Sequence, residues 1–120
     1  AEAELVLPVP LSAERLAERG YNPAQLLAQA LAPRRVRTGL LLRTRHTPPQ
    51  HGLPRAERLK NVRGAYAVDP LKTSQLHGRR VALVDDVMTT GASLREAALA
   101  LRAAGAAHIT ALAFARTDES

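Results

Sequence analysis

Residues 81–93 read V-A-L-V-D-D-V-M-T-T-G-A-S. Four apolar residues lead directly into two acids, Asp85 and Asp86, and then into a turn rich in Thr and Gly. With Arg80, the apolar run predicts a buried strand over 80–84, and 85–93 reads as the turn that leaves it. Downstream, Leu94, Ala97, Ala98 and Leu101 recur at i, i+3, i+4 and i+7, the spacing of one helix face, so a helix is predicted over 94–104. Ser93 and Glu96 have the spacing of a capping box, and Gly105 is a usual helix stop. Residues 109–115 (I-T-A-L-A-F-A) form a second apolar run and predict another strand. Strand, helix and strand of these lengths make a right-handed parallel crossover, which sets the fold class as α/β.

Working toward the N-terminus, residues 65–68 predict a modest strand, followed by a turn through Asp69 and Pro70. Residues 47–64 hold Pro48, Pro49, Gly52 and Pro54 among many charges and keep no apolar period. They read as a long loop, and loops of that length in a compact domain are more often functional than not. A short strand is expected at 39–43. Asn22, Pro23 and Gln25 supply an N-cap, a first-turn proline and a capping-box partner for a helix that Pro33 ends. Leu26, Leu27, Ala30 and Leu31 are its expected apolar face. Ser12 caps a preceding helix that stops at Gly20, and residues 5–9 read as a buried strand.

The 120 residues fit one domain, and 46% apolar content is enough for a packed core. No apolar run reaches the roughly 18 residues of a membrane span, and no signal-peptide pattern opens the chain. Cysteine is absent, which excludes disulfides and thiolate metal sites and suits a cytoplasmic protein. The first residue is not Met, so a trimmed chain is expected. His46, His51, His77 and His108 show no metal-ligand spacing.

Net charge is +6, and its distribution is uneven. Residues 34–63 contain nine Lys or Arg against one acid, Glu57, leaving eight basic and ten acidic residues elsewhere. Such a block is either a solvated loop or a surface for phosphates, and charge alone does not choose between them.

The turn after Val84 chooses more sharply. Open α/β sheets bind ligands at the carboxyl ends of their strands, where Asp85 and Asp86 are expected. Thr89, Thr90, Gly91, Ala92 and Ser93 lead into a helix whose free N–H groups and dipole favour an anion. Carboxylates accept hydrogen bonds from sugar hydroxyls, and a nest of amides binds phosphate; a ribose phosphate carries both groups. A Thr-Thr-Gly alone would be only a cap, and an Asp-Asp pair alone only a solvated strand end. Like charges side by side at the end of an apolar strand are costly unless something uses them. No G-x-x-x-x-G-K-[ST] loop or G-x-G-x-x-G turn is present. A phosphoacceptor receiver domain would carry its acidic pair after the first strand.

Residues 81–93 resemble the phosphoribosyl pyrophosphate signature of type I phosphoribosyltransferases. P-V-P at 8–10, R-G-Y-N at 19–22, T-P-P-Q-H-G-L at 47–53 and R-A-E-R-L-K-N-V-R-G-A-Y at 55–66 extend the resemblance. They narrow it to the ComF-like branch, associated with DNA uptake in competent bacteria. The resemblance implies an open, mostly parallel sheet flanked by helices, with a long flexible loop. It implies that Asp85 and Asp86 hold the ribose hydroxyls, directly or through Mg²⁺, within a motif that includes Val87 and Met88. Residues 89–93 would then hold the 5-phosphate of phosphoribosyl pyrophosphate or ribose 5-phosphate. The basic loop would correspond to the loop that closes over pyrophosphate, with Arg58, Lys60 and Arg63 as candidates, and Arg43 as a further one. Thr89 stands where 6-oxopurine salvage enzymes have an acid, which disfavours hypoxanthine or guanine salvage. Members of the branch usually carry a cysteine-rich zinc ribbon before this domain, and the 120 residues do not include it, whether cut away or never present.

Two functions follow as expectations. One is a Mg²⁺-dependent transferase that displaces pyrophosphate from the anomeric carbon with an unidentified acceptor. The other is a non-catalytic module binding a phosphoribosyl group or single-stranded DNA in the uptake machinery, with a helicase-like ATPase and a second copy of the chain as candidate partners. Aromatics are few (Tyr21, Tyr66 and Phe114), so DNA binding would be mostly electrostatic.

Overall fold

The computed structural model describes residues 2–44, 64–88 and 91–116, the side chains at 87, 88 and 116 excepted. At its centre runs β4 (Arg80–Met88), with β1 (Leu5–Pro8) on one side and β5 (His108–Arg116) on the other, all parallel. Pairing runs from Leu5↔Val81 to Pro8↔Val84 on one edge and from Arg80↔His108 to Met88↔Arg116 on the other. Beyond β1, Val36 makes a single parallel bridge to Val6.

Successive side chains of a strand point to opposite faces, so the central run serves two cores. Leu5, Leu7, Val9, Val81 and Leu83 pack with Leu94, Ala97 and Leu101 of helix α4 (Ala92–Ala103). The same cluster takes in Leu40, Leu41, Ala65 and Tyr66 from an antiparallel pair, β2 (Leu41–Arg43) and β3 (Tyr66–Val68). On the opposite face, Val6, Ala82 and Val84 pack against Ala28 of helix α2 (Pro23–Leu31). The α/β class and the predicted face of α4 are both present. Among the described residues, no helix is long and apolar enough to cross a membrane.

Four local expectations need correction. The buried positions of α2 are Ala24 and Ala28, with Leu27 partly buried, while Leu26 and Leu31 are each 55% exposed. Alanines let the helix axis approach the sheet closely, and the leucines are left outside. Asn22 does cap this helix, its Oδ1 accepting from the Ala24 amide at 3.0 Å, but Gln25 returns no side-chain bond. Helix α4 begins earlier than the apolar pattern suggested, at Ala92, with Gly91 as N-cap at φ 79°. Ser93 is therefore already helical and forms no capping box with Glu96. The Glu96 carboxylate instead accepts from the Gly64 amide at 3.0 Å. Finally, β4 continues to Met88, because β5 accompanies it there, so Asp85 and Asp86 lie in the strand and not in a turn.

Helix α1 (Ala13–Arg19) has the expected ends, Ser12 accepting from the Arg15 amide and Gly20 closing at φ 81°. After Asp69, whose side chain caps Leu71, a 3₁₀ turn (Pro70–Lys72) and the short helix α3 (Thr73–Leu76) bury Leu76 beneath the sheet core. The corrected α2 face can be checked by urea unfolding. Ala28→Leu should destabilise the fold by about 1–3 kcal/mol through overpacking. Leu26→Ala or Leu31→Ala should stay within about 0.5 kcal/mol.

Candidate functional site

β1 ends its pairing at Val84, and the Val9 amide makes a last bond to the Val84 carbonyl at 2.8 Å. Past that point β4 pairs on one side only among the described residues, and Asp85 and Asp86 stand there, each partly buried. The Asp86 amide donates to Asp85 Oδ1 at 2.9 Å. No basic side chain pairs with either acid among the described residues. Three residues after Met88, Gly91 starts α4 with no side-chain cap, and the Ser93 amide lies in its first turn. Strand end, acids and helix start therefore share one end of the sheet. Acceptors for hydroxyls and donors for an anion are joined by a handful of backbone bonds.

The candidates do not all meet. Asp85, Asp86, Gly91, Ala92 and Ser93 come together at this end of the sheet. Arg43 lies on β2, where Nη1 donates to the Tyr66 hydroxyl at 2.9 Å and the guanidinium stands 5.0 Å from the ring centroid. Thr89, Thr90, Arg58, Lys60 and Arg63, and the side chains of Val87 and Met88, lie outside the described residues. The Glu96–Gly64 bond had no sequence signal, because it joins positions 32 residues apart. It is backed by Thr44, whose amide donates to the Ala65 carbonyl at 2.7 Å.

The donor set fits a hard divalent ion. Among the described residues there is no group of three or more metal-ligating side chains. Mg²⁺ is commonly held by one or two carboxylates and completes its shell with water and ligand phosphates. Asp85 and Asp86, with no cationic partner among the described residues, would supply those carboxylates.

Burial pushes the Asp85 carboxyl up to about 7; the adjacent Asp86 carboxylate adds to the shift and the Asp86 amide opposes it. The raised value means that the folded state binds a proton more tightly than the unfolded chain, whose reference is 3.8. Stability from this group is full below that reference and is lost as pH rises through about 7. Asp85→Asn should accordingly raise the melting temperature of the ligand-free domain at about pH 8. The gap over the parent should close toward about pH 4, as read by scanning calorimetry.

Comparison with known proteins agrees with this geometry. The family model of the phosphoribosyl transferase domain matches residues 16–120. Competence protein F of Haemophilus influenzae is 39% identical over 118 residues, covering 94% of this chain and 50% of that protein. DNA utilization protein YhgH of Escherichia coli strain K12 is 33% identical, covering 93% of this chain and 49% of its own length. Competence protein ComFC of Bacillus subtilis is 36% identical over 103 residues, with 86% and 40% covered. The chain thus spans about half the length of the curated relatives it matches. Among solved structures, the allosteric regulatory enzyme of purine biosynthesis aligns with a TM-score of 0.59 at 24% identity. That match covers 95% of this chain and 22% of the other and shows the shared fold. With a matched family model over most of its length and competence and DNA-utilization proteins as relatives, the chain belongs to the phosphoribosyl transferase domain family.

Proposed function

We propose that this domain binds phosphoribosyl pyrophosphate or ribose 5-phosphate at residues 85–93, with Mg²⁺, and transfers the phosphoribosyl group to an acceptor in a process linked to competence and DNA uptake. One observation carries the reading: the acidic pair stands where β4 outlasts β1, a few residues before a helix whose N-cap, Gly91, has no side chain to bond its amides. Asp85 and Asp86 accept from the ribose hydroxyls and orient the sugar. The amides after Gly91 take the 5-phosphate. Mg²⁺, when bound, neutralises charge on the departing pyrophosphate. The transition state is oxocarbenium-like, so the protein's part is mainly to position groups and exclude water. Calorimetry with phosphoribosyl pyrophosphate and Mg²⁺ tests the binding step, and a screen of acceptors for pyrophosphate release tests the transfer. Asp86→Asn should weaken binding by about 1–3 kcal/mol, the range for losing charged hydrogen bonds. Unchanged affinity in both Asp85→Asn and Asp86→Asn would overturn the assignment.

A second reading rests on charge. Nine basic residues in 34–63 exceed what one pyrophosphate needs, and Arg34, Arg35 and Arg37 are exposed. The relatives' names, competence and DNA utilization, favour a nucleic-acid ligand. If this block contacts single-stranded DNA, log affinity should fall against log salt by about 0.7 per neutralised phosphate. Replacing Arg55, Arg58 and Lys60 together should flatten that slope in a titration of labelled strand. An unchanged slope, with phosphoribosyl pyrophosphate binding impaired, would return the block to the transferase reading.

A further inference from the structure

Strand β5 departs from what a parallel sheet normally requires, which is cover on both faces. It pairs with β4 along one edge, and among the described residues nothing pairs with the other. Register assigns its faces. Thr110 and Leu112 are opposite Ala82 and Val84, which α2 covers, yet no β5 residue is part of that core. Leu112 is 41% exposed, and Phe114, two residues on and on the same face, is 50% exposed. On the α4 face Ile109 is partly buried, whereas Ala111, Ala113 and Ala115 are exposed.

Exposed edge strands are usually blunted by lysine, proline, a bulge or brevity, since free N–H and C=O groups invite a second strand. β5 has none of these four devices. It runs for nine residues, and 109–115 (I-T-A-L-A-F-A) hold no charge and no proline. Its offset to β4 is the same from Arg80↔His108 to Met88↔Arg116, so no bulge interrupts it. The chain as a whole carries +6, which repels a like copy. The uncharged strand is a stretch through which two such chains can meet without setting charge against charge.

We infer that β5 is a self-association strand, through which two copies of the chain join their sheets antiparallel about a twofold axis at Ala113. The register follows from the side chains. Residues equally far from 113 on the two copies then face each other, so Leu112 meets Phe114 twice on the face that α2 leaves bare. Ala111 meets Ala115 on the other face. Directly opposed side chains are the unit of sheet stabilisation. Moving the axis to Leu112 would set Phe114 against Thr110 and lose both apolar pairs. The overlap is only 110–116 of each copy, well short of the roughly 20–30 residues a side of a standard interface. Backbone hydrogen bonds therefore supply much of the attraction, and the dimer is of the weak, concentration-dependent class.

Opposed Cα atoms of an antiparallel pair are about 4.5–5.5 Å apart, within the span of a disulfide. The chain has no cysteine, so a single introduced thiol has only its own copy to pair with. Ala113→Cys, on the axis, should give a disulfide-linked dimer with oxidised glutathione as the oxidant. Ala111→Cys, whose two copies would stand four residues apart along the strands, about 14 Å, should not link. Sedimentation of the unaltered chain at rising concentration should show a monomer–dimer equilibrium. Leu112→Lys or Phe114→Lys should weaken that equilibrium about tenfold or more. Leu99→Lys, at a 51% exposed position of α4, is the control and should leave it unchanged. Ala113 is exposed, so the cysteine test stands whether or not the lysine variants fold. A monomer at every concentration would overturn the inference and leave this edge to a different chain. Equal linking at 111 and 113, a dimer indifferent to both lysines, or oligomers that grow without closing at two would also overturn it.

Discussion

β4 is paired on both sides only as far as Val84. Up to that residue its apolar run is buried, with Val81, Leu83 and Val84 at 1% exposure or less. Past it, β1 turns away at Pro8 while β5 continues to Arg116. This difference in length places two carboxylates in strand backbone that β1 does not pair. Had the strands ended together, Asp85 and Asp86 would sit in a loop, free to turn toward water. Had β1 run further, its backbone would pair that stretch too. The core on both faces, through Leu94, Ala97 and Leu101 on one side and Ala28 on the other, serves to fix where the pairing with β1 ends.

The electrostatics follow from the same constraint. Holding Asp85 in strand geometry keeps it partly out of water and beside a second acid, and its carboxyl is pushed up to about 7. The next amide in the chain, that of Asp86, donates to it. An acidic pair with no basic partner among the described residues is suited to a ligand or ion bringing positive charge or hydroxyl donors. The helix start a few residues on has the opposite character, with amides and no capping side chain. The two halves together match a sugar phosphate better than either half alone.

Much of this was legible in the sequence, and the exceptions share a cause. The apolar run 81–84, the i, i+3, i+4, i+7 face of α4 and the caps at Ser12 and Asn22 are short-range patterns, and each is found in place. The α2 face was misjudged because leucine outweighs alanine in any apolar count, whereas close packing on a sheet selects the smaller residue. Ser93 and Glu96 had capping-box spacing, but Gly91 at positive φ starts the helix first. The length of β4 was set by β5, from another part of the chain, and the β2–β3 pairing joins runs separated by more than twenty residues. A cavity beside β1 draws on α1, α2 and β2 at once, and no local pattern marks it.

The bonds at Thr44, Ala65 and Glu96 have a consequence for how this domain can vary. Thr44 donates to the Ala65 carbonyl, and Gly64 donates to Glu96 on α4, so the chain is stitched together at both ends of residues 45–63. The packing of β2 and β3 against α4 is thereby secured below the stitch. Closing a longer segment over a fixed base costs little, about 0.6 kcal/mol for each doubling in length. Lineages could lengthen, shorten or recompose this stretch while the sheet and helix beneath stay in register. Selection on ligand or partner can therefore act here almost independently of selection on folding.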